Sequence, residues 1–367
     1  MFDRRLLQNF DWPLLIVVYL IALAGLFTIY SAVEPGARGA GQIFSVKQVI
    51  WFGVGTLAMI AAFSFPYQWL DRYVWLVYAA CLALLAWVLV FGKVVSGSRR
   101  WIAMGPFTLQ PSELAKLAVI VVMAHILSRT LDEKGLSFKD LLRPLVFLVP
   151  PFTLVVLEPD LGTSMLLLLI AAVMAFYVGV RRRTLLVLAV IALAAGPAVW
   201  MGLKGYQKER ILTFINPDRD PLRAGYHIIQ SKIAIGSGMV TGKGFLEGSQ
   251  KALSFLPEQH TDFIFPVLAE EWGLAGSSVL LAAFLLLMLL CLNVAYKSKD
   301  PFGSLLAVGV SAMIFWQVFI NMGMVMGLFP VVGVPLPLMS YGGSSVLTTM
   351  IGIGLLQNIS MRRYLFE

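Results

Sequence analysis

The sequence predicts an all-α integral membrane protein of about ten transmembrane helices, and three observations predict it. The 367-residue chain is 59% hydrophobic and only 13% charged, where a soluble domain sits near half apolar and a quarter charged. Ten apolar runs, at about 12–33, 46–65, 72–92, 112–129, 141–157, 161–180, 184–202, 266–294, 302–327 and 338–360, each approach the roughly 20 residues needed to cross a bilayer. The linkers are short and charged, apart from residues 203–265. No stretch is polar enough to fold in water alone. Residues 1–367 therefore read as one polytopic membrane domain with a long extracytoplasmic loop, 203–265, between spans seven and eight.

The first run follows Arg4 and Arg5 and is too long for a signal-peptide core, so it reads as an uncleaved first span. Lys and Arg in the short linkers set the orientation. Fourteen lie on one side: Arg4, Arg5, Arg72, Arg129, Lys134, Lys139, Arg143, Arg181, Arg182, Arg183, Lys297, Lys299, Arg362 and Arg363. Five lie on the other: Arg38, Lys47, Lys93, Arg99 and Arg100. Both termini are thus expected in the cytoplasm and the long loop outside. The formal charge of +8 is accounted for without a nucleic-acid partner, and Arg181–Arg183 read as an anchor on anionic lipid. Cys81 and Cys291 lie within apolar runs and read as small buried hydrophobes.

Ionisable residues near hydrocarbon cost a few kcal/mol each on insertion scales, so they are the informative ones. In "QPSELAKLAV" (110–119), Ser112 reads as a helix N-cap, with Glu113 and Lys116 on one helix face. That pair is either a local aid to insertion or part of a site. In "SGSRRWIAMG" (96–105), Arg99 and Arg100 are either an interfacial anchor or an anion clamp. "EPDLGTS" (158–164) places Glu158 and Asp160 between the fifth and sixth spans, on the outer side, where Asp160 either caps the sixth span or belongs to a site. "GYHIIQSKIAIGSGMVTGKGF" (225–245) carries His227, Gln230 and Lys232 and reads as an amphipathic segment on the membrane surface. Its glycines are no phosphate-binding loop, because Gly244 follows Lys243 and Ser237 stands where a glycine is required. "FLPEQHTDFIF" (255–265) places Glu258, His260 and Asp262 before the eighth span, whose early turns hold Glu270 and Glu271. "GVPLPLMSYGGSS" (333–345), with Ser340, is a proline-broken start to the tenth span. Arg100, Glu113, Lys116, Asp160, His260 and Asp262 all fall at outer ends of spans, which points to a shared cavity on that side.

Three of these segments, "AGYHIIQSKIAIGSG", "FLPEQHTDFIFPVLAEEWGL" and "GVPLPLMSYGGSS", resemble the SEDS family (shape, elongation, division and sporulation), and within it the RodA-type elongation branch. The resemblance covers nearly the whole chain. It implies a bacterial, inverting peptidoglycan glycosyltransferase that polymerises lipid II into glycan strands at the outer face of the cytoplasmic membrane during elongation. It also implies a class B penicillin-binding protein and other elongation-complex proteins as partners. Residue by residue, Asp262 matches the required carboxylate of the H-T-D-F motif, Glu113 and Lys116 the membrane-embedded pair, and Asp160 the P-D-L-G acid. Asp262 is the expected general base. Arg100, Glu113, Lys116, Asp160, Glu258, His260, Gln230, Lys232 and Ser340 are the expected supporting or pyrophosphate-binding residues. Two carboxylates near a pyrophosphate suit Mg²⁺ or Mn²⁺, with Asp160 and Asp262 as ligand candidates. No nucleotide cofactor is expected, since the sugar–pyrophosphate bond already holds the energy. A lipid II flippase and a non-catalytic scaffold are the competing classes.

Overall fold

In the computed structural model, residues 9–33, 40–95, 98–105, 107–130, 135–216, 224–248 and 260–363 are described. Glu258 lies outside the described residues. Ten helices of eighteen residues or more occur among them: α1 (Trp12–Val33), α2 (Ala40–Ser64), α4 (Val74–Phe91), α5 (Pro111–Ser128), α6 (Phe138–Leu157), α7 (Leu161–Val178), α8 (Arg182–Gly202), α11 (Ile264–Lys297), α12 (Pro301–Val325) and α13 (Gly343–Arg362). They follow the ten apolar runs closely. Shorter helices are α3 (Gln68–Arg72), α9 (Gly205–Ile215) and α10 (Ala224–Ser237). The linker between α4 and α5 forms a small antiparallel sheet, β1 (Lys93–Val95), β2 (Ser98–Met104) and β3 (Phe107–Leu109).

Eight of the ten long helices are apolar enough to cross a membrane by length and composition. The other two, α5 and α13, carry Glu113 and Lys116, and Gln357 and Asn358, and they are buried along nearly their whole length. A helix enclosed by other helices never meets lipid and need not be apolar. With α12 they form the centre of the bundle. The opposite case is α8: beyond Thr184, none of its described residues is buried, as suits an all-round apolar helix facing lipid.

Local chemistry sets the ends. Pro111 and Pro301 sit at the first positions of α5 and α12. Asp300 caps α12 by accepting from Phe302 N (3.4 Å) and Gly303 N (3.0 Å). Ser112, expected to cap α5, lies inside its first turn; extended Gln110 occupies the cap position. The tenth span was expected from 338 but starts at Gly343. Pro335 and Pro337 lack N–H donors, and residues 338–342 are held in turns by the site described below. The two termini meet at one end of the bundle: Asp11 N–H donates to Gln357 Oε1 (3.0 Å) and Ser360 Oγ to Asn9 O (3.2 Å).

The segment 225–245, expected to be amphipathic, docks one face on the bundle. Its helix, α10, buries Gly225, Ile228, Ser231 and Ala234 and packs on α11 and α12, and Ser231 Oγ donates to Val325 O (2.6 Å). The glycine-rich turn after it enters a break in α11 at Gly273 (φ 62°, ψ −159°). The break frees the carbonyls of Glu270 and Glu271 and the N–H groups of Leu274 and Ala275. The turn satisfies all four: Lys243 N and Gly244 N donate to the carbonyls (3.0 Å each), and Met239 O and Val240 O accept from the amides (2.8 and 3.0 Å). Unpaired backbone in hydrocarbon costs several kcal/mol per group, which explains the complete exchange. A Cβ on Gly242 would lie 2.1 Å from Glu271 O, so this contact needs glycine. Lys243 Nζ also donates to buried Glu270 Oε1 (2.7 Å), and Ser31 Oγ to Glu271 Oε1.

Candidate active site at one end of the bundle

Four helices start at one end of the bundle, and short polar side chains tie them together. Gln110 stands directly before α5. Its N–H donates to Ser344 Oγ of α13 (2.9 Å), and its Nε2 to Asp160 Oδ2 before α7 (2.8 Å). Asp160 caps α7 through Thr163 N (3.1 Å) and also accepts from Thr163 Oγ1 (3.0 Å) and Ser112 Oγ (3.2 Å). The expected cap of the sixth span by Asp160 is thus present. Over it hangs β2, which carries Arg100: Nε donates to Ser98 Oγ (2.8 Å) and Nη1 stands 4.0 Å from Asp160 Oδ1. Three helix N-termini and a guanidinium make this end of the molecule positive, the arrangement that attracts phosphate.

Asp262 precedes the fourth helix start, at α11, and is half-buried. Its backbone is braced from two sides. Asn321 Nδ2 of α12 donates to Asp262 O (2.9 Å) and to Val334 O (2.7 Å). Ser340 Oγ donates to Thr261 O (2.7 Å) and accepts from Leu336 N (2.8 Å), and Tyr341 N donates to His260 O (2.8 Å). Gln48 Nε2 of α2 in turn holds Ser340 O (3.1 Å). Ser340, expected as a supporting or pyrophosphate-binding residue, is buried and braces the backbone next to Asp262. His260 clusters with the rings of Phe44 (4.9 Å) and Tyr341 (5.9 Å), which also touch each other (5.0 Å). The carboxylate of Asp262 faces Gly333, where a Cβ would come within 3.3 Å of Oδ2. Gly162, two residues past Asp160, abuts the same loop: a Cβ there would lie 2.7 Å from Val332 O. The loop 332–334 is thus sandwiched between the Asp160 and Asp262 centres.

Lys116 and Glu113 form the expected pair, Nζ to Oε2 at 2.8 Å, both buried in the first turns of α5. A pair so enclosed survives only because each partner neutralises the other. Gln230 is half-buried on α10. Lys232 is exposed, its stem lying across Gly327 in the turn after α12, and the His227 ring is 5.9 Å from that of Phe263.

The surroundings of Asp160 do not suit a metal. Oδ2 already accepts three hydrogen bonds, and Oδ1 accepts one with a guanidinium nearby; a divalent cation needs free lone pairs and no competing positive charge. Among the described residues no group of three His, Cys, Asp or Glu side chains is placed to hold an ion. The residues that sequence reading passed over are Gln48, Gln110, Thr163 and Asn321. Amides within apolar spans were the available signal for Gln48 and Asn321.

The sequence matches the FtsW/RodA/SpoVE family of cell cycle proteins over residues 11–365. The chain belongs to that family. It is 41% identical to the peptidoglycan glycosyltransferase MrdB of Escherichia coli K12, covering 91% of this chain and 90% of that one. It is 33% identical to the peptidoglycan glycosyltransferase RodA of Treponema pallidum, covering 98% and 99%. Its fold superposes on a chain from a peptidoglycan synthase complex that coordinates polymerisation and crosslinking, with a TM-score of 0.83, 32% identity, and 97% and 98% of the two chains covered. Thermus thermophilus RodA gives a TM-score of 0.71 at 29% identity, with the same coverage. This family member is thus a multi-pass membrane protein whose braced carboxylate and positive helix starts lie at a single end of the bundle.

Proposed function

We propose that this chain is a peptidoglycan glycosyltransferase that polymerises lipid II, with Asp262 as general base. The observation that carries the reading is the clamped backbone of 260–262, which holds one carboxylate against the 332–334 loop, whose other side meets the start of α7 below Asp160 and Arg100. Lipid II joins its sugar to pyrophosphate through an α bond, and the product link is β, so the reaction inverts the anomeric carbon. The attacking hydroxyl of the acceptor sugar gives its proton to Asp262 as the new bond forms, a step that contributes about 10²–10⁴-fold. The pyrophosphate leaves as an anion and needs no acid. Arg100 and the helix dipoles balance its growing charge. A divalent cation, were the reaction to use one, would arrive with the substrate's own phosphates and would help balance their charge, with Asp262 as the remaining candidate to hold it, since the Asp160 oxygens are already hydrogen-bonded. The lipid anchor stays in the bilayer while the sugars meet the site, which faces outward from the cytoplasmic membrane. A class B penicillin-binding protein cross-links the emerging strand, with other elongation proteins in attendance.

Asp262→Asn is the test. Purified protein with labelled lipid II, read on a glycan gel, should lose polymer by about two orders of magnitude or more, while its detergent melting profile stays that of the wild type. Undiminished polymer from the folded variant overturns the assignment. Wild-type protein that moves lipid II between leaflets yet makes no strand speaks for a flippase; protein that does neither is a scaffold.

A further inference from the structure

Glu158 closes α6 two residues before Asp160 and is 0% exposed. Neither of its carboxylate oxygens has a hydrogen-bond partner among the described residues. The charges acting on it are Asp160, before α7, and Arg100, on β2; the titratable group facing it from α4 is the Cys81 thiol. An ionised carboxylate without hydrogen bonds is hardly tolerated in such a place. Burial, and then the like charge of Asp160, push Glu158 up to about 8, against the opposing pull of Arg100.

The geometry around Arg100 gives this a purpose. Asp160 is already filled by Gln110, Ser112 and Thr163, so it has little need of a cation, and Arg100 stands off at 4.0 Å, partly exposed. A charged Glu158, bare of other donors, would be the strongest competitor for that guanidinium.

We propose that Glu158 is a positioning residue, kept protonated so that Arg100 stays free to bind the substrate's pyrophosphate. This deepens the glycosyl-transfer reading and rests on it. Above pH 8 the carboxyl loses its proton to solvent, draws Arg100 inward, and weakens substrate binding.

The test measures binding of labelled lipid II to full-length protein in detergent, in an Asp262→Asn background so that no turnover intervenes. With Glu158 present, affinity should fall roughly tenfold between pH 7 and pH 9.5. With Glu158→Gln, which keeps the neutral shape, it should hold, and with Arg100→Ala it should be weak at every pH. The inference is overturned if the parent and the Glu158→Gln variant show the same pH dependence. It is also overturned if Glu158→Gln binds poorly at pH 7 while melting like the parent. Polymer made by Asp262→Asn itself would instead refute the catalytic assignment and leave the binding result to be judged on its own.

Discussion

At the scale of single residues, the candidate site depends on neutral side chains as much as on charged ones. Asn321 spans two carbonyls, those of Asp262 and Val334. Asn321→Ala strands both acceptors, at a cost of about 1–3 kcal/mol each if no water replaces the amide, and frees the carboxylate next door from its orientation. Polymerisation should drop at least tenfold while lipid II binding changes little; a variant with full turnover would show that the clamp is not needed. The sequence made the acids legible because a charge in oil is expensive and stands out. It hid the braces: Gln110 and Thr163 are cheap to place in many settings, and although Gln48 stands out as an amide within an apolar span, only its partners reveal the role. Asp262 and Asn321 are 59 residues apart in the chain, and nothing in the spacing joins them. Ser340 was found, but as a polar residue near glycines, which is a clue to a cavity and not to a brace.

Among the elements, α11 shows how far periodicity carries a prediction. Its apolar run announces one helix, and the structure holds two pieces. The 24 residues from Leu274 to Lys297, roughly 36 Å of helix, can span a bilayer unaided. The nine residues from Ile264 to Trp272 form a stub that starts just after Asp262 and is buried as far as Glu271. The break at Gly273 was illegible because its partners sit some thirty residues upstream, in a stretch whose glycines looked like a loop. The sheet of β1–β3 was missed for another reason: strands of three to seven residues are too short for alternation to emerge. Gly242→Ala tests the inserted turn. Its φ of +79° disfavours a side chain, and the new Cβ would strike Glu271 O. A loss of roughly 2–4 kcal/mol is expected, read as a lower melting midpoint in detergent than for an exposed control such as Met239→Ala. An unchanged midpoint would mean that the turn is not part of the stable fold.

For the whole molecule, polarity is sorted by end. The buried acids, Arg100 and the helix starts of the site share one end; the meeting of the termini marks the other, where Asp71 binds Arg129 (2.9 Å) and His125 (2.7 Å). The excess of lysine and arginine in the short linkers predicts that second end in the cytoplasm. An acid working on sugars outside the cell requires this orientation and no other. Both native cysteines, Cys81 and Cys291, are buried, so single cysteines can be added against a quiet background. Val94→Cys, exposed on β1, should react with a membrane-impermeant maleimide in intact cells. Tyr296→Cys, exposed at the far end of α11, should react only after the membrane is opened. Labelling in the reverse pattern would put Asp262 in the cytosol, away from any strand under construction. The glycosyltransferase reading would then fail even though every distance in the site stood.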